Sequence, residues 1–468
     1  MAASPPPPPP PPAKSSSKLH VAMFPWFALG HMTPFLHLSN QLAARGHTVS
    51  FLLPKGAEPQ MEPHNLHPTL VRFFPLTLPP VDGLPPGAAT ASDLPFPLHT
   101  HLCTALDRTR HEVHSILTSV NPHVIIFDLG CWIPALARSH GIKSVYYAVV
   151  CAAGHALRLV PSLKIQSGWT AAELMLAPPG CPFPGHLIRP EEAKQAVMLA
   201  RELGSGMTMY DRLVAGMTEC DAIALRTFRE VEGPFCDYIA DQYSKPVLLT
   251  GPNLTETPEG ELEERWSEWL SKFDERSVVF CALGSQITLE KEQFEELLLG
   301  FELCGMPFLA VLRPPEGSAT VEEALPEGFA ERVEGRGVVH GGWIQQPLVL
   351  RHPAVGCFVS HCGFGSMWES LFSDCRIVLV PRLGDQIVNA VLMAEQLKVA
   401  VEVERDEDGG FRKESVCKAI KLVMDEEGEG GKVVKENHAK WREIVSSPEL
   451  QNGYIDSFIQ SLLDLLDD

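Results

Sequence analysis

The chain has 468 residues, 45% of them apolar and 21% charged, and a formal net charge of -20. That length can bury the cores of two domains of moderate size. The acidic balance argues against nucleic acid or an anionic membrane surface as the main partner, and no run approaches the ~18 apolar residues of a membrane helix, so a cytoplasmic chain is expected.

Residues 1–17 are Pro-rich (Pro5 to Pro12) and then Ser-rich (Ser15 to Ser17), a composition that cannot bury a core and predicts a disordered or polyproline II tail. Lys14 and Lys18 precede an apolar run from Val21 to Leu29, which has the look of a signal peptide. The run contains Pro25 and has no clean small-residue cleavage site, so it is read as a buried first strand. Strands are then predicted at 20–27 and 47–53, separated by a helix at 32–45. A helical stretch at 102–119 and strands at 124–127, 143–150, 222–225 and 246–249 complete a first half. The segment 251–264 is polar, with two prolines and two glycines, and reads as a linker. Alternation restarts with strands at 278–283, 308–312, 337–340, 356–359, 377–380 and 399–403. Helices are expected at 289–304 with good caps, at 385–396, at 413–424 and at 455–466.

Strand–helix alternation in two blocks predicts an α/β fold, two doubly wound parallel-sheet (Rossmann-like) domains facing a cleft. The spans are 18–250, a linker at 251–275, 276–450, and a C-terminal helix at 451–468 packing back toward the first domain. In such sheets ligands bind beyond the carboxyl ends of the strands. The twelve cysteines are scattered without a zinc spacing and read as reduced, buried residues. Asn253-Leu254-Thr255 matches a glycosylation triplet, which means little in a cytosolic chain. Asp406-Glu407-Asp408 reads as a solvated turn, and His99-Thr100-His101 as surface or pocket histidines, so no metal is expected.

The informative stretch runs from Trp343 to Gln386. At its centre stands His361-Cys362-Gly363-Phe364-Gly365-Ser366-Met367-Trp368-Glu369. A strand feeds a glycine-containing turn that opens a helix. The free N–H groups and the dipole of the helix start form an anion site. Gly363 and Gly365 allow close approach of a phosphate, while Ser366 and His361 offer donors. A nucleotide diphosphate fits this turn.

The whole window resembles the signature box of plant UDP-dependent glycosyltransferases. The matching positions are Trp343, Gln346, His352-Pro353, Gly356, Phe358, His361-Cys362-Gly363, Ser366, Glu369-Ser370, Pro381 and Asp385-Gln386, without a gap. The resemblance implies a GT-B fold, an N-terminal acceptor domain and a C-terminal domain for the UDP-sugar, which is a co-substrate; no cofactor is implied. It implies that Trp343 stacks on uracil, that Gln346 and the backbone of Ile344 hold the base edge and ribose, and that Glu369 accepts from the ribose hydroxyls. His361, Gly363, Gly365, Ser366 and Ser285 face the diphosphate, and Asp385 and Gln386 the donor sugar. Two departures stand out. Most members carry Asn where this chain has Gly365, and many glucose users carry Trp where it has Phe364.

His31 lies just past the first predicted strand, in Gly30-His31-Met32-Thr33-Pro34, and Asp128 ends the strand at 124–127. Sugar transfer to a hydroxyl needs a base for the acceptor proton, and an imidazole oriented by a carboxylate suits that task. The family pattern assigns both residues these roles, in an inverting, metal-independent transfer. Acceptor contacts are expected from Phe27, His99, Trp132, Val150 and His155. The stretch from Ala224 to Gly233 resembles the branch that extends existing sugars, so the expected acceptor is the sugar of a flavonoid or anthocyanin 3-O-glycoside. An aglycone or terpenoid glycoside hydroxyl is the alternative, and from another class a non-catalytic UDP-sugar-binding protein. A monomer is expected.

Overall fold

The structure is a computed structural model that describes residues 18–183, 185–253, 260–284, 287–406, 409–425 and 427–467. The Pro- and Ser-rich tail and Ser285 lie outside these residues. In the first half, β1 (His20–Phe24), α1 (Leu29–Ala44), β2 (Thr48–Pro54) and β3 (Val71–Leu76) are followed by α2 (His99–Arg108), α3 (Arg110–Val120), β4 (Val124–Phe127) and β5 (Lys143–Ala148). Next come α4 (Ala152–Arg158), α5 (Met209–Glu219), β6 (Ala222–Leu225), α6 (Arg229–Tyr243) and β7 (Val247–Leu249). The strands pair in parallel in the order β3-β2-β1-β4-β5-β6-β7.

The second half contains α7 (Glu264–Leu270), β8 (Val278–Ala282), α8 (Lys291–Cys304), β9 (Phe308–Val311), β10 (Gly337–His340) and β11 (Val355–Ser360). It continues with α9 (Phe364–Phe372), β12 (Arg376–Leu379), α10 (Asp385–Val391), β13 (Ala400–Glu402), α11 (Lys413–Met424), α12 (Glu429–Val445) and α13 (Pro448–Asp467). Its parallel sheet has the order β10-β9-β8-β11-β12-β13. The two α/β sheets are of the doubly wound kind. Each reverses its strand order beside its first strand, at β1/β4 and β8/β11, where such sheets open a crevice for ligand.

The strands are apolar runs because both faces of each sheet are covered. Alternation still sorts the side chains. Val21 and Met23 join the core that includes Phe35 of α1, whereas Ala22 and Phe24 join the core on the opposite face. Likewise Val279 and Cys281 pack on one side of the second sheet, and Val278 and Phe280 on the other. The first-domain core runs on into Phe364, Met367 and Trp368 of α9, and Phe228 meets Trp368 edge-on at 5.6 Å. The two halves thus share apolar contacts at the back of the cleft. The last helix, α13, returns to the first half. Tyr454 donates to Glu230 (2.7 Å) and accepts from the Arg229 N–H (2.8 Å), and Arg45 pairs with Asp456 at 2.5 Å.

Several elements differ from expectation. The strand β3 was not anticipated, since Arg72 and Pro75 break its apolar run. The helical stretch at 102–119 is two helices, broken at Thr109. Part of the expected linker is helical: α7, of 7 residues, lies within 251–275, and its Trp266 and Leu270 pack against β8. Helix α8 ends on Gly305 at φ 80, but its N-cap Glu290 makes no side-chain capping bond. Asn253 of the glycosylation triplet is buried and donates its amide to Tyr147 Oη at 3.2 Å. All twelve cysteines are unpaired. Among the described residues no helix is long and apolar enough to cross a membrane.

One buried charge stiffens the first domain. Arg212 of α5 is fully buried and grips Asp107 of α2 with two bonds of 2.9 and 2.7 Å, donating also to the carbonyls of Leu203 and Gly204. Removing one partner of such a pair strands the other charge. Arg212→Met is therefore expected to lower stability by about 3 kcal/mol, read as an earlier urea midpoint, with much of the loss recovered in the Asp107→Leu/Arg212→Met double variant.

Candidate functional site

The register Phe24↔Phe127 sets β1 and β4 side by side, so the segments leaving their carboxyl ends emerge together. His31 stands in the first turn of α1 and Asp128 directly after β4. The His31 Nδ1 to Asp128 Oδ2 distance is 2.6 Å. The other carboxylate oxygen accepts from the N–H groups of Trp26 (2.6 Å) and Leu129 (2.5 Å). Asp128 is thereby fixed and nearly buried, at 3% exposure, while the His31 side chain keeps 28%. With Nδ1–H directed at the carboxylate, Nε2 carries the lone pair. The pair can accept a proton and hold the resulting imidazolium.

Across the cleft, Asp385 is the first residue of α10, whose N-cap is Gly384. Burial pushes its carboxyl up to about 6, opposed by the Asn389 side chain (3.2 Å) and by the charge of His31. The group is an acceptor above that value and a donor below it. Gln386 spends its Oε1 on the N–H groups of Arg382 (2.9 Å) and Leu383 (3.1 Å). Its amide nitrogen is left to meet a hydroxyl as a donor.

The phosphate-sized turn lies between β11 and α9. Gly363 is the N-cap of α9, so the first N–H groups of the helix are open to an anion. The His361 ring is wedged between two glycines. A Cβ at Gly363 would come within 2.5 Å of Nε2 and one at Gly284 within 2.8 Å. Burial pushes His361 down to about 4, with only a hydrogen bond to the Ala282 backbone opposing. The ring is neutral near neutral pH, and its single N–H serves the Ala282 carbonyl. At Gly365 a Cβ would meet nothing within 4 Å, so the missing side chain leaves open space there. Farther out, Trp343 stands 76% exposed, a free indole face, beside buried Ile344. Gln346 donates to Glu369 (2.5 Å) and to Ser366 (3.3 Å), tying three of the expected donor-site residues into one chain.

The expected acceptor residues separate into two groups. Phe27 and His155 are fully buried. Phe27 packs in the aromatic cluster with Phe24 and Trp26, and His155 is held by the Cys151 carbonyl at 3.2 Å. Neither presents surface to a ligand. His99, Trp132 and Val150 are half-buried, although the Trp132 indole N–H is bonded to Asp107 at 3.1 Å. Sequence reasoning missed Asn389, which bridges the Cys362 carbonyl (2.9 Å) and Asp385. Its position four residues after Asp385 on one helix face was the available signal.

A model of the family "UDP-glucoronosyl and UDP-glucosyl transferase" matches residues 237–442. The chain is 53% identical over 452 residues to UDP-glycosyltransferase 79B3 of Arabidopsis thaliana, covering 96% of this chain and 98% of that protein. It is 53% identical over 458 residues to the anthocyanidin 3-O-glucoside 2'''-O-xylosyltransferase of the same plant, with the same coverage. It is 50% identical over 450 residues to the cyanidin 3-O-galactoside 2''-O-xylosyltransferase FGGT1 of Actinidia chinensis var. chinensis, again covering 96% and 98%. In fold it is similar to the crystal structure of UGT89C1 from Arabidopsis thaliana, at TM-score 0.74 and 23% identity, covering 95% of this chain and all of that one. It is similar also to UGT2 of Phytolacca americana complexed with UDP-2fluoro-glucose and pterostilbene, at TM-score 0.74 and 24% identity, covering 96% of this chain and all of that one.

Proposed function

The chain belongs to the plant UDP-glycosyltransferases and is a UDP-sugar-dependent transferase, and we propose that it extends the sugar of a flavonoid or anthocyanin 3-O-glycoside, with UDP-xylose as the first donor to test. The acceptor class is supported by the relatives named for xylosyl transfer to anthocyanin glycosides and by the stretch from Ala224 to Gly233.

The observation that carries the catalytic reading is the 2.6 Å contact between His31 and Asp128, on the cleft wall facing Asp385. His31 Nε2 takes the proton of the acceptor hydroxyl as its oxygen attacks the anomeric carbon from the face opposite UDP, so configuration inverts. Asp128 holds the imidazole in the accepting tautomer and stabilises its charged form. The departing UDP gathers negative charge, which the N-terminus of α9 is placed to receive beside His361. This scheme routes no step through a metal. Trp343, Ile344, Gln346 and Glu369 hold the nucleoside, Gly363, Gly365 and Ser366 the diphosphate, and Asp385 and Gln386 the sugar. His99, Trp132 and Val150 are the acceptor-side surface. A cytoplasmic setting accords with twelve unpaired cysteines, and a monomer is the proposed state.

The test is a matrix of UDP-xylose, UDP-glucose and UDP-rhamnose against cyanidin and quercetin 3-O-glycosides and their aglycones, with products read by mass. The expected product is a diglycoside carrying one added pentose. Turnover of aglycones alone would overturn the acceptor assignment, and UDP-sugar binding without any product would favour a non-catalytic binder.

A further inference from the structure

Asn389 has no part in the scheme above, although it touches two pieces of it. It lies on α10, one turn beyond Asp385, and is fully buried. Its side-chain nitrogen donates to the Cys362 carbonyl at 2.9 Å and to Asp385 Oδ2 at 3.2 Å. Both neighbours are acceptors, a backbone carbonyl and a carboxylate, so the amide must turn its nitrogen and not its oxygen toward them. The oxygen, Oδ1, is buried and has no hydrogen-bond partner among the described residues. A buried amide whose carbonyl goes unmet is costly to a fold. That cost draws attention to the two bonds the side chain does make.

The first bond lands on a strained residue. Cys362 stands at φ 60, in the left-handed region that a side chain disfavours. Two contacts hold it there. Its N–H donates to Ser360 Oγ at the end of β11 (3.1 Å), and its carbonyl is taken by Asn389. That carbonyl and the Gly363 N–H belong to one planar trans peptide, so they point in opposite directions. A grip on the carbonyl therefore fixes the aim of the N–H, which belongs to the N-cap of α9. The second bond restrains the Asp385 carboxylate, four residues back on the same face of α10.

We propose that Asn389 is a positioning residue for the donor: one amide sets the aim of the Gly363 N–H toward the diphosphate and the orientation of Asp385 toward the sugar. This rests on the readings of Gly363 and Asp385 given above. The two bonds of Asn389 serve the groups on either side of the linkage that breaks, between the anomeric carbon and the diphosphate. They hold leaving group and sugar in one register, and they leave the base and ribose contacts to other residues.

The test measures affinity for UDP and for UDP-xylose by calorimetry, without acceptor, in the full chain carrying Asn389→Leu. Loss of the turn's support should weaken UDP about tenfold, and the added loss of support for the carboxylate should bring the deficit for UDP-xylose to about a hundredfold. A second background isolates the strain. Glycine takes the left-handed conformation at no steric cost, so Asn389→Leu added to Cys362→Gly should weaken UDP less than about threefold relative to Cys362→Gly alone. The extra loss for UDP-xylose should persist there, because Asp385 is still unsupported. Parental affinity for both ligands in Asn389→Leu overturns the proposal, and so does an equal loss for both. A UDP loss that is undiminished in the glycine background also overturns it, since general damage to packing gives that result. Asp385→Ala that keeps the parental ratio of UDP-xylose to UDP affinity overturns instead the sugar reading beneath the proposal. Should Asn389→Leu fail to fold, Asn389→Ala removes the same amide with less bulk and is read in the same way.

Discussion

Replacing His31 with alanine is expected to lower kcat by about 10³-fold while leaving the KM for the UDP-sugar within about threefold. The acceptor hydroxyl is a poor nucleophile until its proton is drawn away in the transition state, and among the described residues the imidazole bonded to Asp128 is the group built for that task. The residues proposed to hold the nucleotide, by contrast, lie in the opposite domain. The measurement is steady-state kinetics with a saturating glycoside acceptor, together with UDP affinity by calorimetry. A variant retaining a tenth or more of the parent kcat would remove His31 from the mechanism. Equal losses in kcat and in UDP affinity would show that the substitution disturbed the cleft rather than the chemistry.

Asp128→Asn is expected to cost about 10²- to 10³-fold in kcat, for a different reason. The aspartate accepts on both oxygens, from Trp26 and Leu129 on one side and from His31 on the other. An asparagine keeps its carbonyl oxygen on the two backbone N–H groups, which turns its NH₂ toward His31 Nδ1. The imidazole must then present a lone pair at Nδ1 and carry its proton on Nε2, the tautomer that cannot accept from the acceptor. Fold and nucleotide binding should be retained, since the backbone bonds survive. The check is kcat together with the imidazole ¹⁵N shifts of His31, which should report the switched tautomer. Near-parental turnover in Asp128→Asn would mean the carboxylate does no more than brace the loop.

The strands of both sheet centres were legible because burial on two faces leaves apolar runs with little else in them, as at 124–127 and 278–282. The misses follow from weaker patterns. Strand β3 lies at a sheet edge, where Arg72 and Pro75 are tolerated and blur the signal. Helix α7 begins in an acidic, Pro- and Gly-flanked stretch, and only Trp266 and Leu270 betray its buried side. The His31–Asp128 pairing was inferable, since neighbouring parallel strands end together. What the chain after β5 does was not. Whether Phe27 and His155 meet ligand or are buried depends on tertiary packing, and no periodicity around them decides it.

The return of α13 has a practical meaning for anyone wishing to study the halves alone. Severing the chain near residue 250 would take Tyr454 and Asp456 away from Glu230 and Arg45, and would strip the cover from Phe228. The amino-terminal fragment would then show water a greasy flank that the intact polypeptide keeps dry. A dissection that respects the packing leaves the final twenty residues with the piece they rest upon, a permuted order in which sequence neighbours and spatial neighbours part company.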